Sequence, residues 1–223
     1  MCTLSMQHTP QRESFLMSRF TDIQHETAGM PAPALLRYLI KERFPGKTLV
    51  TASLRAKGIV VLSMVAEIDP ATPVVFCRPG HLFDESLKYR HLIVERLGLT
   101  NVSESTGREA QIKECDKDHC EHMWSENETM PGRTFMVVHL NDTLAPYECW
   151  ISAVYHMARG EDVKEKVDVD GRLVRVDPLI GWTEKDVHDY MVEHGLPFHK
   201  RAYRNRPYKF PNEGVEDVQT AHY

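Results

Sequence analysis

A chain of 223 residues is long for one domain and short for two, and it is ample to bury a core. Hydrophobic residues make up 42% and charged residues 26%, and the formal net charge of −5 excludes a strongly basic nucleic-acid footprint apart from a local basic patch near the C-terminus. No apolar run approaches the ~20 residues that a membrane helix needs; the longest, Ile59–Val65, is interrupted by Ser63.

Residues 1–30 read as a polar, partly helical arm. Within it, Met1–Phe20 mixes Gln, His, Arg and Glu through its apolar residues and so lacks a secretory core. The expected location is cytoplasmic. There Cys2, Cys77, Cys115, Cys120 and Cys149 would be reduced thiols or metal ligands and not a disulfide framework. Pro31 and Pro33 open a helix carrying Leu35, Leu36, Leu39 and Ile40 at helical spacing, and Pro45-Gly46 stops it. Thr48-Leu49-Val50-Thr51 predicts a short strand. The loop Thr51–Gly58 leads into Ile59–Ala66, apolar nearly all round as in a helix buried against a sheet. Asp69-Pro70 ends that helix. Pro73-Val74-Val75-Phe76-Cys77 predicts a strand covered on both faces.

After the turn at Pro79-Gly80, Leu82–Leu97 predicts an amphipathic helix closed by Gly98. Thr100-Asn101-Val102 predicts a third strand. This alternation argues for an α/β fold built on a doubly wound, mostly parallel sheet. Residues 103–133 are polar and their pattern assigns them to neither helix nor strand. Thr134–Val138 and Trp150–Tyr155 predict strands, and Gly171 marks a hairpin-like turn before a short strand at Leu173–Val176. Thr183–His194 predicts a helix with Thr183 as N-cap and Asp186 at the position where a capping box carries Glu or Gln. The expected organisation is an arm at 1–30, an α/β domain at 31–199 and a tail at 200–223.

A strand-to-helix loop presents unpaired N–H groups and the positive end of a helix dipole, which favours phosphate or sulfate. In Ser53-Leu54-Arg55-Ala56-Lys57-Gly58, Arg55 supplies a bidentate fork and Lys57 a point charge. The alternative is a surface turn with two solvated cations. Arg78 and Gly80 follow the second strand, at the sheet edge where such folds bind ligands, and Arg78 would face the same anion. Cys115, His119, Cys120 and His122 read either as zinc ligands or as part of an exposed loop rich in Lys, Asp and Glu. In Phe198–Lys209, five cations interleave with aromatics. They fit a nucleotide or an acidic partner, or else a solvated tail or an oligomer contact such as a homodimer. Cys149 is the catalytic thiol candidate by elimination, with Cys77 behind it. Beside Trp150 on a strand, a buried, inert thiol is the competing reading.

Three ordered stretches carry a resemblance. They are Val65–Phe76, Gly80–Tyr89 with Leu97-Gly98-Leu99-Thr100, and Asp177–Val187 through Leu196-Pro197-Phe198-His199. Together they resemble the phosphoadenosine-phosphosulfate (PAPS) reductase family, over about Leu35 to His199. The resemblance implies an adenine nucleotide α-hydrolase-like fold, PAPS or adenylyl sulfate as ligand, and a thioredoxin-like reductant. It aligns Ser53–Gly58 with the family's Ser-Phe-Gly-x-x-Ser loop, in which only the first serine remains. Cys77-Arg78-Pro79-Gly80 stands for Leu-Asp-Thr-Gly, keeping only the glycine. Trp150-Ile151-Ser152-Ala153 stands for Trp-Ile-Thr-Gly, and the arginines that follow it in the family are absent. The Glu-Cys-Gly-(Leu/Ile)-His segment has no counterpart, since residues 150–223 contain no cysteine. Two functions fit: a sulfonucleotide reductase or transferase, or a nucleotide- or partner-binding relative without reductase chemistry.

Overall fold

The computed structural model describes residues 22–78, 84–106, 108–110, 122–126, 135–153, 165–170 and 172–199. Residues 22–27 form a short helix, α1, whose Ile23 is fully buried in the core. Pro31 caps α2 (Ala32–Arg37), which continues as a π-helical turn over Tyr38–Arg43. The wider turn brings the Phe44 N–H to the Leu39 carbonyl at 2.9 Å. Leu35, Leu36, Leu39 and Ile40 all point inward, as their spacing predicts.

Every residue of β1 (Thr48–Ala52) is buried. The following α3 (Ala56–Ile68) is buried continuously from Gly58 to Val65, so its apolar run needs no amphipathic stripe. β2 (Val74–Arg78), α4 (Asp84–Leu97) and β3 (Val102–Thr106) complete one half of the winding. The third strand thus starts where sequence reading ends it. Ser103 and Glu104 are exposed on an edge strand, and that polarity hides the strand from hydrophobic patterning.

The chain then forms β4 (Arg108–Ala110), β5 (His122–Glu126) and β6 (Phe135–His139), an antiparallel sheet in the order β4-β6-β5. A short α5 (Asn141–Leu144) returns it to the main sheet as β7 (Cys149–Ser152). β8 (Val167–Asp170) and β9 (Leu173–Val176) form an antiparallel pair about residue 171, with Val169 opposite Val174. α6 (Glu184–Glu193) follows.

The main sheet runs β3-β2-β1-β7-β9-β8, parallel except for β8. One face packs Val50, Ala52, Phe76, Ile151 and Val176 against α2, α3 and α6. The other packs Leu49, Val75, Trp150 and Leu173 with Leu140 and Leu144. No helix among the described residues is long and apolar enough to cross a membrane.

Candidate functional site

Two halves of the sheet diverge from β1. β2 and β3 lie to one side, and β7 and β9 to the other. In such a sheet the ligand crevice lies outside the carboxyl ends of the two strands where the order reverses, here β1 and β7. The loop Ser53–Arg55 leaves β1 at that point and becomes α3.

Arg55 is the N-cap of α3, with extended backbone (φ −85°, ψ 155°) and no side-chain capping bond. The first turn holds no acidic residue, and Lys57 adds a second cation there. Cations at the positive end of a helix dipole are unfavourable by themselves, and a bound anion relieves both the dipole and the unpaired first-turn N–H groups. Arg55 is exposed and Lys57 half-buried, so both reach solvent at this edge.

Gly58 sits where the loop folds back on the start of α3. A Cβ at Gly58 would stand 2.3 Å from the Ser53 carbonyl oxygen, a backbone atom that cannot rotate away. The loop therefore lies against the first turn of α3, and only glycine fits. The Ser53 hydroxyl is buried without a hydrogen-bond partner among the described residues. Leu54 packs on the core and fastens the loop from the other side.

Arg78 ends β2 in backbone only, its side chain lying outside the described part, and Gly80 lies outside the described residues. Cys115, His119 and Cys120 also lie outside them, and of His122 only the backbone in β5 is described. The described residues contain no group of three or more His, Cys, Asp or Glu suited to a metal. The tail from Lys200 onward lies outside the description as well.

Cys149 is fully buried on the helix-packed face, where burial pushes its thiol up to about 12 against a weaker opposing hydrogen bond with Thr48. Burial likewise pushes Cys77 up to about 12. Neither is a thiolate at neutral pH, so the geometry is that of inert core thiols and gives no support to Cys149 as the nucleophile.

Sequence reasoning missed a latch beside this edge. Tyr89 donates to the Pro197 carbonyl at 2.7 Å, and His199 Nε2 meets Ser86 Oγ at 3.0 Å, all buried. The Tyr89 and His199 rings meet edge to face at 4.8 Å. Ser86 lies in the first turns of α4, so residues 196–199 are fixed at the carboxyl edge of the sheet. Both halves of the latch fall inside the stretches that carried the resemblance, but only the fold reveals their contact. A separate cleft of about 380 Å3 is lined by Ser63, Glu67, Arg96 and His194, toward the far ends of α3 and α4.

A mostly parallel, doubly wound sheet with a cationic helix N-terminus at its switch point defines the class: an α/β protein with a crevice at the carboxyl edge of the sheet. Within that class, the chain belongs to the phosphoadenosine phosphosulfate reductase domain family, whose profile matches residues 47–204. A phosphoadenosine 5'-phosphosulfate reductase of Alkalilimnicola ehrlichii is 28% identical over 160 residues, covering 70% of this chain and 65% of that protein. An adenosine 5'-phosphosulfate reductase of Mesorhizobium japonicum is 31% identical over 157 residues, covering 70% and 61%. A Bacillus anthracis protein of the latter name is 27% identical over 179 residues, covering 78% and 77%. The chain thus spans a little under two thirds of the first two relatives. The crystal structure of the PAPS reductase of Candida auris, in a phosphate complex, shares the fold with a TM-score of 0.55 at 14% identity, covering 88% of this chain and 91% of that one.

Proposed function

We propose that this chain binds an anionic adenine sulfonucleotide, PAPS or adenylyl sulfate, at the carboxyl edge between β1 and β7 and acts in sulfur metabolism. The observation that carries the reading is the cationic, acid-free N-terminus of α3 at the switch point. Ser53, Arg55, Lys57 and Gly58 form its phosphate- or sulfate-facing loop, with Arg78 and Gly80 assigned to the same edge. The relatives' names support a sulfonucleotide ligand and do not favour a relative without that chemistry.

Reduction of the nucleotide's sulfuryl group to sulfite takes two electrons: one thiolate displaces the nucleotide 5'-phosphate from sulfur, and a second thiol then releases sulfite as the two thiols become one disulfide. Burial disfavours Cys77 and Cys149 as those thiols, and in this proposal a thioredoxin-like reductant or another partner protein supplies them. Sulfur transfer activated by the nucleotide is the related reaction. A cytoplasmic location and a homodimer belong to the same proposal. Zinc at Cys115, His119, Cys120 and His122 is a separate one, and metal-free purified protein would remove it.

The test is thermal shift with PAPS, adenylyl sulfate, ATP and 3',5'-ADP. Stabilisation by a sulfonucleotide is expected; no shift with any of the four would sink the reading. Sulfite release with reduced thioredoxin then tests catalysis. Unchanged release in Cys149→Ser is the expected result.

A further inference from the structure

The two strand ends that bound the crevice are tied together by one side-chain bond. Trp150 on β7 donates its indole N–H to Thr51 Oγ1 on β1 at 2.8 Å, with both residues buried. The register sets Leu49 opposite Trp150 and Thr51 opposite Ser152. The indole therefore reaches diagonally, one step toward the carboxyl edge.

That edge differs between the two faces of the sheet. On the face that carries Trp150, apolar Leu49 gives way to Thr51, Trp150 to Ser152, and Leu173 to Arg175 and Asp177. Thr51, Ser152, Arg175 and Asp177 are each buried. On the opposite face the same edge stays apolar, with Val50, Ala52, Ile151 and Val176. Burying polar groups is costly, and sheet packing does not require them on one face at one edge only. Thr51 lies two residues before Ser53, whose carbonyl is pressed against Gly58. Whatever fixes Thr51 fixes the point from which the loop turns.

We propose that Trp150 is a positioning residue for the crevice: through Thr51 it sets the spacing of β1 and β7 and the placement of Ser53–Arg55. This rests on the sulfonucleotide reading for the identity of the ligand. A purely structural bond would alter stability and leave ligand affinity of the folded protein unchanged.

Trp150→Phe keeps an aromatic ring and deletes the donor, and Thr51→Val keeps the shape and deletes the acceptor. Calorimetric titration with adenylyl sulfate and PAPS is expected to show affinity lowered about 5- to 10-fold in each variant, as loss of one buried hydrogen bond predicts. The double variant should be no weaker than the worse single one. Hydrogen exchange at amides 53–58 of the ligand-free protein should rise in each. Wild-type affinity in either folded variant overturns the proposal, and Thr51→Val carries the test if Trp150→Phe does not fold. If the wild-type chain binds neither nucleotide, the sulfonucleotide reading fails, and exchange alone decides the positioning role: unchanged exchange at 53–58 overturns it.

Discussion

At the scale of single residues, Gly58 shapes the loop and the two buried cysteines stand as inert core thiols. Replacing Gly58 with Ala forces a Cβ onto the Ser53 carbonyl, so the loop or the first turn of α3 must shift. Overpacking of that kind costs about 1–3 kcal/mol, and chemical denaturation should show it together with weakened sulfonucleotide binding. Cys77 and Cys149 should resist iodoacetamide in the folded protein at pH 8 and react once it is unfolded, as peptide mass mapping would show. Reaction of native Cys149 would contradict its burial. Their thiols ionise more readily in the unfolded chain than in the fold, where burial raises them from 9.0 to about 12. The stabilisation is therefore complete below the ordinary thiol range and is lost progressively as pH rises from 9.0 to about 12. Denaturant midpoints should fall above about pH 9, and fall less steeply in Cys77→Ala/Cys149→Ala.

Elements differ in how openly the sequence declares them. α3 and β2 were legible because each is buried along most of its length, and continuous apolar runs have few other meanings. The N-terminus of α6 was legible in its cap. There Thr183 Oγ1 accepts from the Asp186 N–H, and Asp186 completes the box by accepting from the Thr183 N–H at 2.8 Å, so the shorter carboxylate serves where Glu or Gln was expected. Thr183→Ala should lower the melting temperature by about 2–4 °C, as loss of one cap predicts for a chain of this size. β3 was legible only at its first residue and β8 not at all, because edge strands with exposed or half-buried polar residues lose the hydrophobic signal. Lys41 and Asp69 tie the turn after α2 to the end of α3 at 2.8 Å. The Lys41 bond, then the Ala71 N–H, holds the Asp69 carboxyl below its ordinary value. That stabilisation is present above the ordinary carboxylate range and is lost as pH falls through the lowered value. The pair is a third to a half exposed, so Lys41→Met should cost under about 1 kcal/mol at neutral pH and flatten the acid limb of the stability curve.

At the scale of the whole molecule, sheet topology gives the loop its meaning. Ser53–Gly58 read alone is a glycine-poor turn with two cations. Between β1 and β7 it stands where the strand order reverses, which the sequence showed only through the resemblance of distant stretches. The contact of Thr51 with Trp150, and of Ser86 with His199, joins residues 99 and 113 positions apart, beyond the reach of local pattern. Calorimetric titration of wild type and Arg55→Ala with PAPS and adenylyl sulfate tests the central claim most directly. The account predicts one site per chain in the wild type and affinity lowered about tenfold in Arg55→Ala, with the deficit shrinking at high salt. Absence of binding by the wild type, or equal affinity in the two proteins, would contradict it.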